Sequence, residues 1–274
     1  MSQDRRDVFA TPRLAHVSMT GKIQAESFTE GVLKRVVQPV ANLHVTPQKA
    51  TLDRQVLYGH PVRCLDDADT LVRDEQSGYV GHMLGSALGD WAEPTHRVAT
   101  RSTLLFDTPD FKSPNPVALS CGSLLAVDGV EEKYARTKDG RFAIAAHLKT
   151  LKERQSDLAK TAKLVVGTPY LWGGNSAFGI DCSGLVQLAA QAAGAPCPGD
   201  SDQQKDRFGR DLPLGSPYQR NDLLFWKGHV ALVFDEHKLI HANAHHMAVA
   251  FEPISEALLR IEQSDGPVLA HKRL

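Results

Sequence analysis

Residues 167–186 read Gly167-Thr-Pro-Tyr170-Leu-Trp-Gly-Gly-Asn-Ser-Ala-Phe-Gly-Ile-Asp181-Cys182-Ser183-Gly-Leu-Val186. The first half is dense in Gly, Pro and aromatics, a composition that favours a tight, irregular approach over a regular element. From Leu185 onward, Val186, Leu188, Ala189 and Ala192 recur at helical spacing, and Gly194 and Pro196 stop the pattern. Asp181 therefore reads as an N-cap, and Cys182 falls in the first helical turn. Unpaired backbone N–H groups and the positive end of the helix dipole favour an anion there, so a thiol ionises more easily. An isolated cysteine is more often a small buried apolar residue. What reverses that reading is a base within reach.

A thiolate nucleophile needs a general base, and the base needs a group to orient it. Asp222-Leu-Leu-Phe-Trp-Lys-Gly-His229-Val-Ala-Leu-Val-Phe234 reads as two short apolar strands around a Lys-Gly turn, with His229 opening the second. Lys238-Leu-Ile-His241-Ala-Asn243 reads as a third. Hairpin-linked neighbours pair antiparallel, so His229 and His241 can reach one end of one sheet. A lone histidine in an apolar strand is usually a hydrogen-bonded structural residue. Two of them beside a helix-initiating cysteine point to nucleophilic catalysis.

These residues resemble the NlpC/P60 family of bacterial cell-wall cysteine peptidases over about residues 155–260. Tyr170-Leu-Trp-Gly-Gly with Asp181-Cys182-Ser183-Gly184 is similar to the family's nucleophile block, Gly228-His229-Val230 to its base block, and Ile240-His241-Ala242 to the block of its orienting residue. The resemblance implies an α+β chain with a C-terminal papain-like domain of circularly rearranged element order. It implies Cys182 as nucleophile, His229 as base, His241 as orienting group and Tyr170 as a hydroxyl near the developing oxyanion, a donor that acyl transfer requires. No cofactor is expected. A zinc site of Cys182, Cys197, His229 and His241 is the rival, but spacings of fifteen, thirty-two and twelve residues lack the short pairs typical of zinc, and the expectation is no metal.

The chain has 274 residues, enough for two or three compact domains, with 42% hydrophobic and 23% charged residues and a formal net charge of −1. That balance, without a basic run, argues against a nucleic-acid partner. No stretch approaches the roughly 18 apolar residues of a membrane helix. Met-Ser-Gln-Asp-Arg-Arg-Asp is not followed by an apolar run of signal-peptide length, so a cytoplasmic location is expected, with periplasmic or cell-wall exposure as the alternative. The four cysteines, Cys64, Cys121, Cys182 and Cys197, show no paired spacing and read as reduced.

Short β-like runs fill residues 35–88: Val36-Val-Gln-Pro-Val-Ala, Gln55-Val-Leu-Tyr-Gly, Thr70-Leu-Val-Arg and Gly78-Tyr79-Val-Gly-His. A second set follows over 95–148: His96-Arg-Val-Ala-Thr, Ser102-Thr-Leu-Leu-Phe, Ser123-Leu-Leu-Ala-Val and Arg141-Phe-Ala-Ile. This spacing fits small barrels, and the two sets resemble tandem bacterial SH3-like barrels. The organisation expected is a loosely attached N-terminal arm (1–24), a first SH3-like barrel (25–92), a second (93–150) and the peptidase domain (151–274), whose first helix starts near Lys149 and ends near Val166.

Family members with such barrels include γ-D-glutamyl-L-diamino acid endopeptidases. The resemblance implies murein stem peptides, L-Ala-γ-D-Glu-diamino acid with a free N-terminal amine, as substrate. It implies Asp181, Ser183 and Ser201 as substrate contacts and Tyr79 as a wall of the pocket. At Asp181 capping a helix and binding the amine are compatible, so the substrate reading is favoured there, whereas Tyr79 equally packs in a core. In Leu57-Tyr-Gly-His60-Pro-Val, His60 stands where relatives carry a glutamate facing the amine. A neutral imidazole accepts a hydrogen bond, whereas a charged one repels an ammonium; a plain surface position is the other reading. The competing function is a wall-peptide binding module with little or no hydrolysis.

Overall fold

The computed structural model describes residues 4–48, 51–66 and 70–274, and the chain separates into two units, Met1–Leu151 and Lys152–Leu274. In the first unit, alternating apolar residues build two sheet modules. Leu52–Leu57, Val40–His44, Val80–His82, Leu71–Asp74, Pro61–Cys64, Val32–Val36 and Leu88–Asp90 form, in that spatial order, a seven-stranded antiparallel sheet. Val36, Leu43, Val56, Val62, Val72 and Tyr79 fill its core. The run expected as one strand from Val36 to Ala41 is broken, because Pro39 supplies no N–H and the chain turns between Val32–Val36 and Val40–His44.

The second module spans His96–Val98 to Leu148–Thr150, around Val98, Leu105, Leu119, Leu125, Ala143 and Leu148. The two modules are not independent beads. Tyr58, from the turn after Leu52–Leu57, is buried in the second module's core, its carbonyl accepts from Leu124 N–H at 2.8 Å, and its hydroxyl donates to Asp139 at 3.1 Å. The adjoining Gly59 has φ +77°, and a Cβ there would lie 1.9 Å from the Leu124 carbonyl oxygen. Only glycine lets the two backbones approach so closely.

His60 and Tyr79, read from the sequence as pocket residues, are both 2% exposed. The ring of His60 donates from Nε2 to the Gly122 carbonyl at 3.1 Å, across the same junction, and burial pushes its pKa down despite nearby Asp74. That neutral ring serves the seam between modules, and Tyr79 packs among the valines of the first core.

The N-terminal segment corrects another expectation. Rather than a loose arm, it places Phe9, fully buried, in a cluster with Leu65, Leu71 and Val80, and Leu14–His16 pairs in parallel with Ser27–Thr29. Arg5 adds a bidentate pair with Asp53 at 2.6 and 2.7 Å. No periodicity announces this segment, because the anchoring is one aromatic side chain, not a repeating face.

In the second unit, six strands lie in the order Arg210–Leu212, Ala270–Arg273, Leu223–Trp226, His229–Val233, Lys238–Asn243 and Ala248–Pro253, all antiparallel. Four helices accompany them: α1 (Leu158–Lys163), α2 (Cys182–Ala192), α3 (Ser201–Arg207) and α4 (Ile254–Asp265). Helix α1 starts later than the sequence implied, because Leu148–Thr150 is taken as a strand beside His96–Val98 and Asp157 provides the cap. Helix α4 lays Ile254, Ala257 and Ile261 over the sheet face that carries Leu224, Trp226, Ala231, Val233 and Leu239. Among the described residues no helix is long and apolar enough to cross a membrane.

Phe9→Ala is expected to lower the stability of the first unit by about 3 kcal/mol, the usual cost of emptying a buried aromatic site. Calorimetry checks it: a melting transition unmoved by the substitution would mean that the segment is not part of the fold.

Candidate active site

Helix α2 begins at Cys182, and Asp181 is its N-cap. Asp181 accepts from Gly184 N–H at 2.6 Å and from the Ser183 hydroxyl at 3.1 Å through Oδ1, and from Gly173 N–H at 3.0 Å through Oδ2. One buried carboxylate thus ties the glycine-rich approach to the helix start. The glycines are there for contact: a Cβ on Gly184 would sit 2.4 Å from the Gly174 carbonyl oxygen. Upstream, the loop is stapled to the edge strand Ala248–Pro253 by Gly167 N–H to Val249 and Val249 N–H to Thr168, both 2.9 Å, with Tyr170 N–H on Met247 just before that strand.

Cys182 is 6% exposed, with Sγ 4.0 Å from the carbonyl of Gly228, the residue before His229. All four cysteines are buried and outside disulfides. The hairpin reads as the sequence implied: Leu223–Trp226 and His229–Val233 pair with Trp226 opposite His229. Register then does the rest. Val233 faces Leu239 and Leu239 faces Glu252, so the period-two alternation of strands puts His229, His241 and Glu252 on one face. Nε2 of His229 lies 3.0 Å from Nδ1 of His241. Nε2 of His241 lies 2.9 Å from Oε2 of Glu252. Arg260 on α4 closes the line, donating from Nε and Nη2 to the two Glu252 oxygens at 2.8 and 2.7 Å.

Electrostatics follow from burial. Burial first, then His241 and Arg260, push the His229 imidazole down to about 3, against Glu252. Burial also lowers His241, outweighing Glu252. Burial alone would raise the Glu252 carboxyl, but hydrogen bonds from Arg260 and His241 outweigh it and hold the group well below the usual carboxylate range. The line therefore consists of two neutral rings, a carboxylate and a guanidinium. A neutral His229 can take a proton from a neighbouring thiol, and a thiolate at a helix start can attack a carbonyl.

His229 and Tyr170 line a cleft of about 560 Å³ with Trp172, Asn243, Arg260 and Asp265. Cys182, His229, His241 and Tyr170, the catalytic set read from the sequence, thus converge on one region. Ser183 is buried, its hydroxyl on Asp181 and its carbonyl accepting from Gln204 at 2.9 Å. Ser201 opens α3 and is half-buried. His60 and Tyr79 belong to the other unit. Sequence reasoning missed Glu252 and Arg260; the available signal was an acid inside the apolar run Ala248-Val-Ala-Phe-Glu252, just past the hairpin that follows His241.

Among the described residues, the His, Cys, Asp and Glu atoms that gather within 4.8 Å of one another belong to His241, His246 and Glu252, not to the cysteine set weighed from the sequence. Both Glu252 oxygens already accept from Arg260, and a cation there would meet the guanidinium's positive charge. These donors fit a hydrogen-bonded line better than a metal centre.

Residues 167–262 match the model of the NlpC/P60 family. The C-terminal unit carries an NlpC/P60 domain, and with it the chain is an enzyme of the cysteine peptidase class. Dipeptidyl-peptidase 6 of Lysinibacillus sphaericus is 28% identical over 235 residues, which cover 76% of this chain and 86% of that protein. Gamma-D-glutamyl-L-lysine dipeptidyl-peptidase of Bacillus subtilis (strain 168) is 30% identical over 139 residues, 48% of this chain and only 45% of that relative. The crystal structure of an NlpC/P60 family protein from Bacillus cereus ATCC 10987 shares the fold with a TM-score of 0.74 at 20% identity, over 88% of this chain and 99% of that one.

The buried rings make stability pH-dependent, and the sign is fixed. Folded pKa values of His229 and His241 lie below the ordinary 6.5, so their contribution is complete above about pH 6.5 and is lost as pH falls, when the unfolded chain binds protons the folded one refuses. Glu252, lowered from 4.5, adds its loss further down. Urea midpoints followed by tryptophan fluorescence should be flat above pH 7 and fall between pH 6.5 and 4.5. His229→Gln should shallow that slope by up to about 1.4 kcal/mol per pH unit; an unchanged slope would mean that burial does not keep His229 neutral.

Proposed function

We propose that this chain hydrolyses murein stem peptides at the bond between γ-D-glutamate and the diamino acid, acting on peptides with a free N-terminal L-Ala. His229 takes the proton from Cys182, the thiolate attacks the peptide carbonyl, and the imidazolium returns the proton to the leaving amine. Water then releases the acyl group with His229 again as base. His241 orients His229. Tyr170, beside His229 in the cleft, and the Cys182 backbone N–H at the start of α2 are the donors for the oxyanion.

The observation that carries this reading is the 3.0 Å contact of His241 with His229, the residue that directly follows the Gly228 carbonyl beside Cys182. The choice of bond is supported by a relative whose name is gamma-D-glutamyl-L-lysine dipeptidyl-peptidase. We further read the two N-terminal modules as SH3-like barrels, supported by their short antiparallel strands and separate cores. The three donors on Asp181 make its first role the shape of the nucleophile loop.

Cys182→Ala should abolish release of diamino-acid products from L-Ala-γ-D-Glu-diamino acid peptides, seen by mass spectrometry, while leaving the fold intact. Retained turnover would remove the nucleophile assignment. N-acetylation of the L-Ala should lower the rate by at least tenfold, and an equal rate would remove the free-amine requirement. The same assay on intact wall distinguishes peptide recycling from wall remodelling.

A further inference from the structure

A histidine is an ambiguous orienting group. Its Nδ1 and Nε2 exchange donor and acceptor roles with the tautomer. If His241 carried its proton on Nδ1, the 3.0 Å contact would force His229 to accept at Nε2. The proton of a neutral His229 would then sit on Nδ1, and the ring could not take one from a thiol by that nitrogen. An asparagine or carboxylate in this place presents an oxygen and raises no such question; a histidine needs its own tautomer fixed.

We propose that Glu252, clamped by Arg260, is the positioning residue that fixes it. An ionised carboxylate only accepts hydrogen bonds. At 2.9 Å from Nε2 it requires His241 to donate there, which leaves Nδ1 of His241 as acceptor. His229 must then donate from Nε2, and its Nδ1 is left without a proton, as a base requires. The two donors of Arg260 grip one oxygen each at 2.8 and 2.7 Å, so the carboxylate is held in a fixed plane and the oxygen facing His241 does not rotate away. Glu252 is 5% exposed, and competition from water is small. The hydrogen bonds that hold its carboxyl below the usual range keep it in the accepting form.

The surroundings contain the other groups that bear on the line. His246 approaches from the turn after Lys238–Asn243, with ring centroids 6.4 Å from His241. Arg260 comes from α4, Trp226 lies against His229 with centroids 5.8 Å apart, and Cys182 stands at the start of α2. Among the described neighbours, Glu252 is the carboxylate that meets His241 directly.

This inference rests on the proposed catalytic roles of Cys182 and His229, and its test is separable from theirs. In uniformly 15N-histidine-labelled protein without substrate, His229 and His241 should each show a protonated Nε2 and an unprotonated Nδ1. A protonated Nδ1 on His241 in the unaltered protein overturns the proposal. Glu252→Leu should give mixed tautomers, lower kcat by about a hundredfold with KM within a fewfold, and slow alkylation of Cys182 by iodoacetamide with a shifted pH profile. Glu252→Gln, whose amide oxygen still accepts from His241, should recover much of kcat. A folded Glu252→Leu protein with unaltered kcat, alkylation profile and 15N shifts overturns the proposal. The alkylation and nitrogen signals need no peptide, so they stand or fall whether or not stem peptides are the substrate.

Discussion

The hydrogen-bonded line from His229 through His241 to Glu252 exists only while three strands keep one register. Val233 opposite Leu239 and Leu239 opposite Glu252 fix that register. A slip of one residue in Lys238–Asn243 would turn His241 to the other face and bring Ile240 in its place. The pairing is secured from outside by apolar burial: Val233 and Leu239, on the same face as the histidines, are covered by Ile254, Ala257 and Ile261 of α4. The hydrophobic contact that stabilises the sheet is therefore also what aligns its polar line. Chemistry and core share a face.

That sharing has an energetic consequence. Placing Glu252 and two imidazoles within an otherwise apolar layer costs desolvation, and a buried ion pair is often no more stabilising than apolar residues of the same volume. The Glu252–Arg260 pair is thus poorly explained as a stabiliser. A bidentate clamp does, however, restrict orientation in a way no apolar contact can. The Asp181 carboxylate serves a parallel end: it accepts from Gly173, Ser183 and Gly184 and so locates the first turn of α2 against its approach loop. Cys182 follows directly on one buried acid, and His229 is linked to a second through His241.

The site was legible to the extent that its signals are local. Cys182 at a helix start, the Lys-Gly hairpin and the two strand histidines all follow from patterns within a dozen residues. Glu252 does not, because nothing in Ala248-Val-Ala-Phe-Glu252 states which strand it pairs with; its meaning comes from the register with Leu239. The same limit explains His60. Its glycine turn is readable, but the Gly122 carbonyl across the seam is 62 residues away in sequence. Likewise Phe9 anchors the N-terminal segment through Leu65, Leu71 and Val80 without any periodic face to announce it. Asp181 and Ser183 were legible as important but not as to kind, since a capping acid and an amine-binding acid have the same spacing.

Arg260 bears on the histidines in a way that separates charge from geometry. It pushes the His229 pKa down while Glu252 pushes it up. Because the guanidinium and carboxylate are in contact at 2.7 and 2.8 Å, their fields largely cancel beyond the pair, as those of a dipole do, rather than adding as a lone charge would. What the pair transmits to His229 is then carried by hydrogen bonds through His241 and not by long-range attraction to an imidazolium. A lone buried carboxylate would instead raise the imidazole pKa and favour a ring already protonated, with no nitrogen free to take the thiol proton. The guanidinium beside Glu252 thus lets an acid set the direction of the hydrogen bonds while leaving His229 neutral enough to accept a proton.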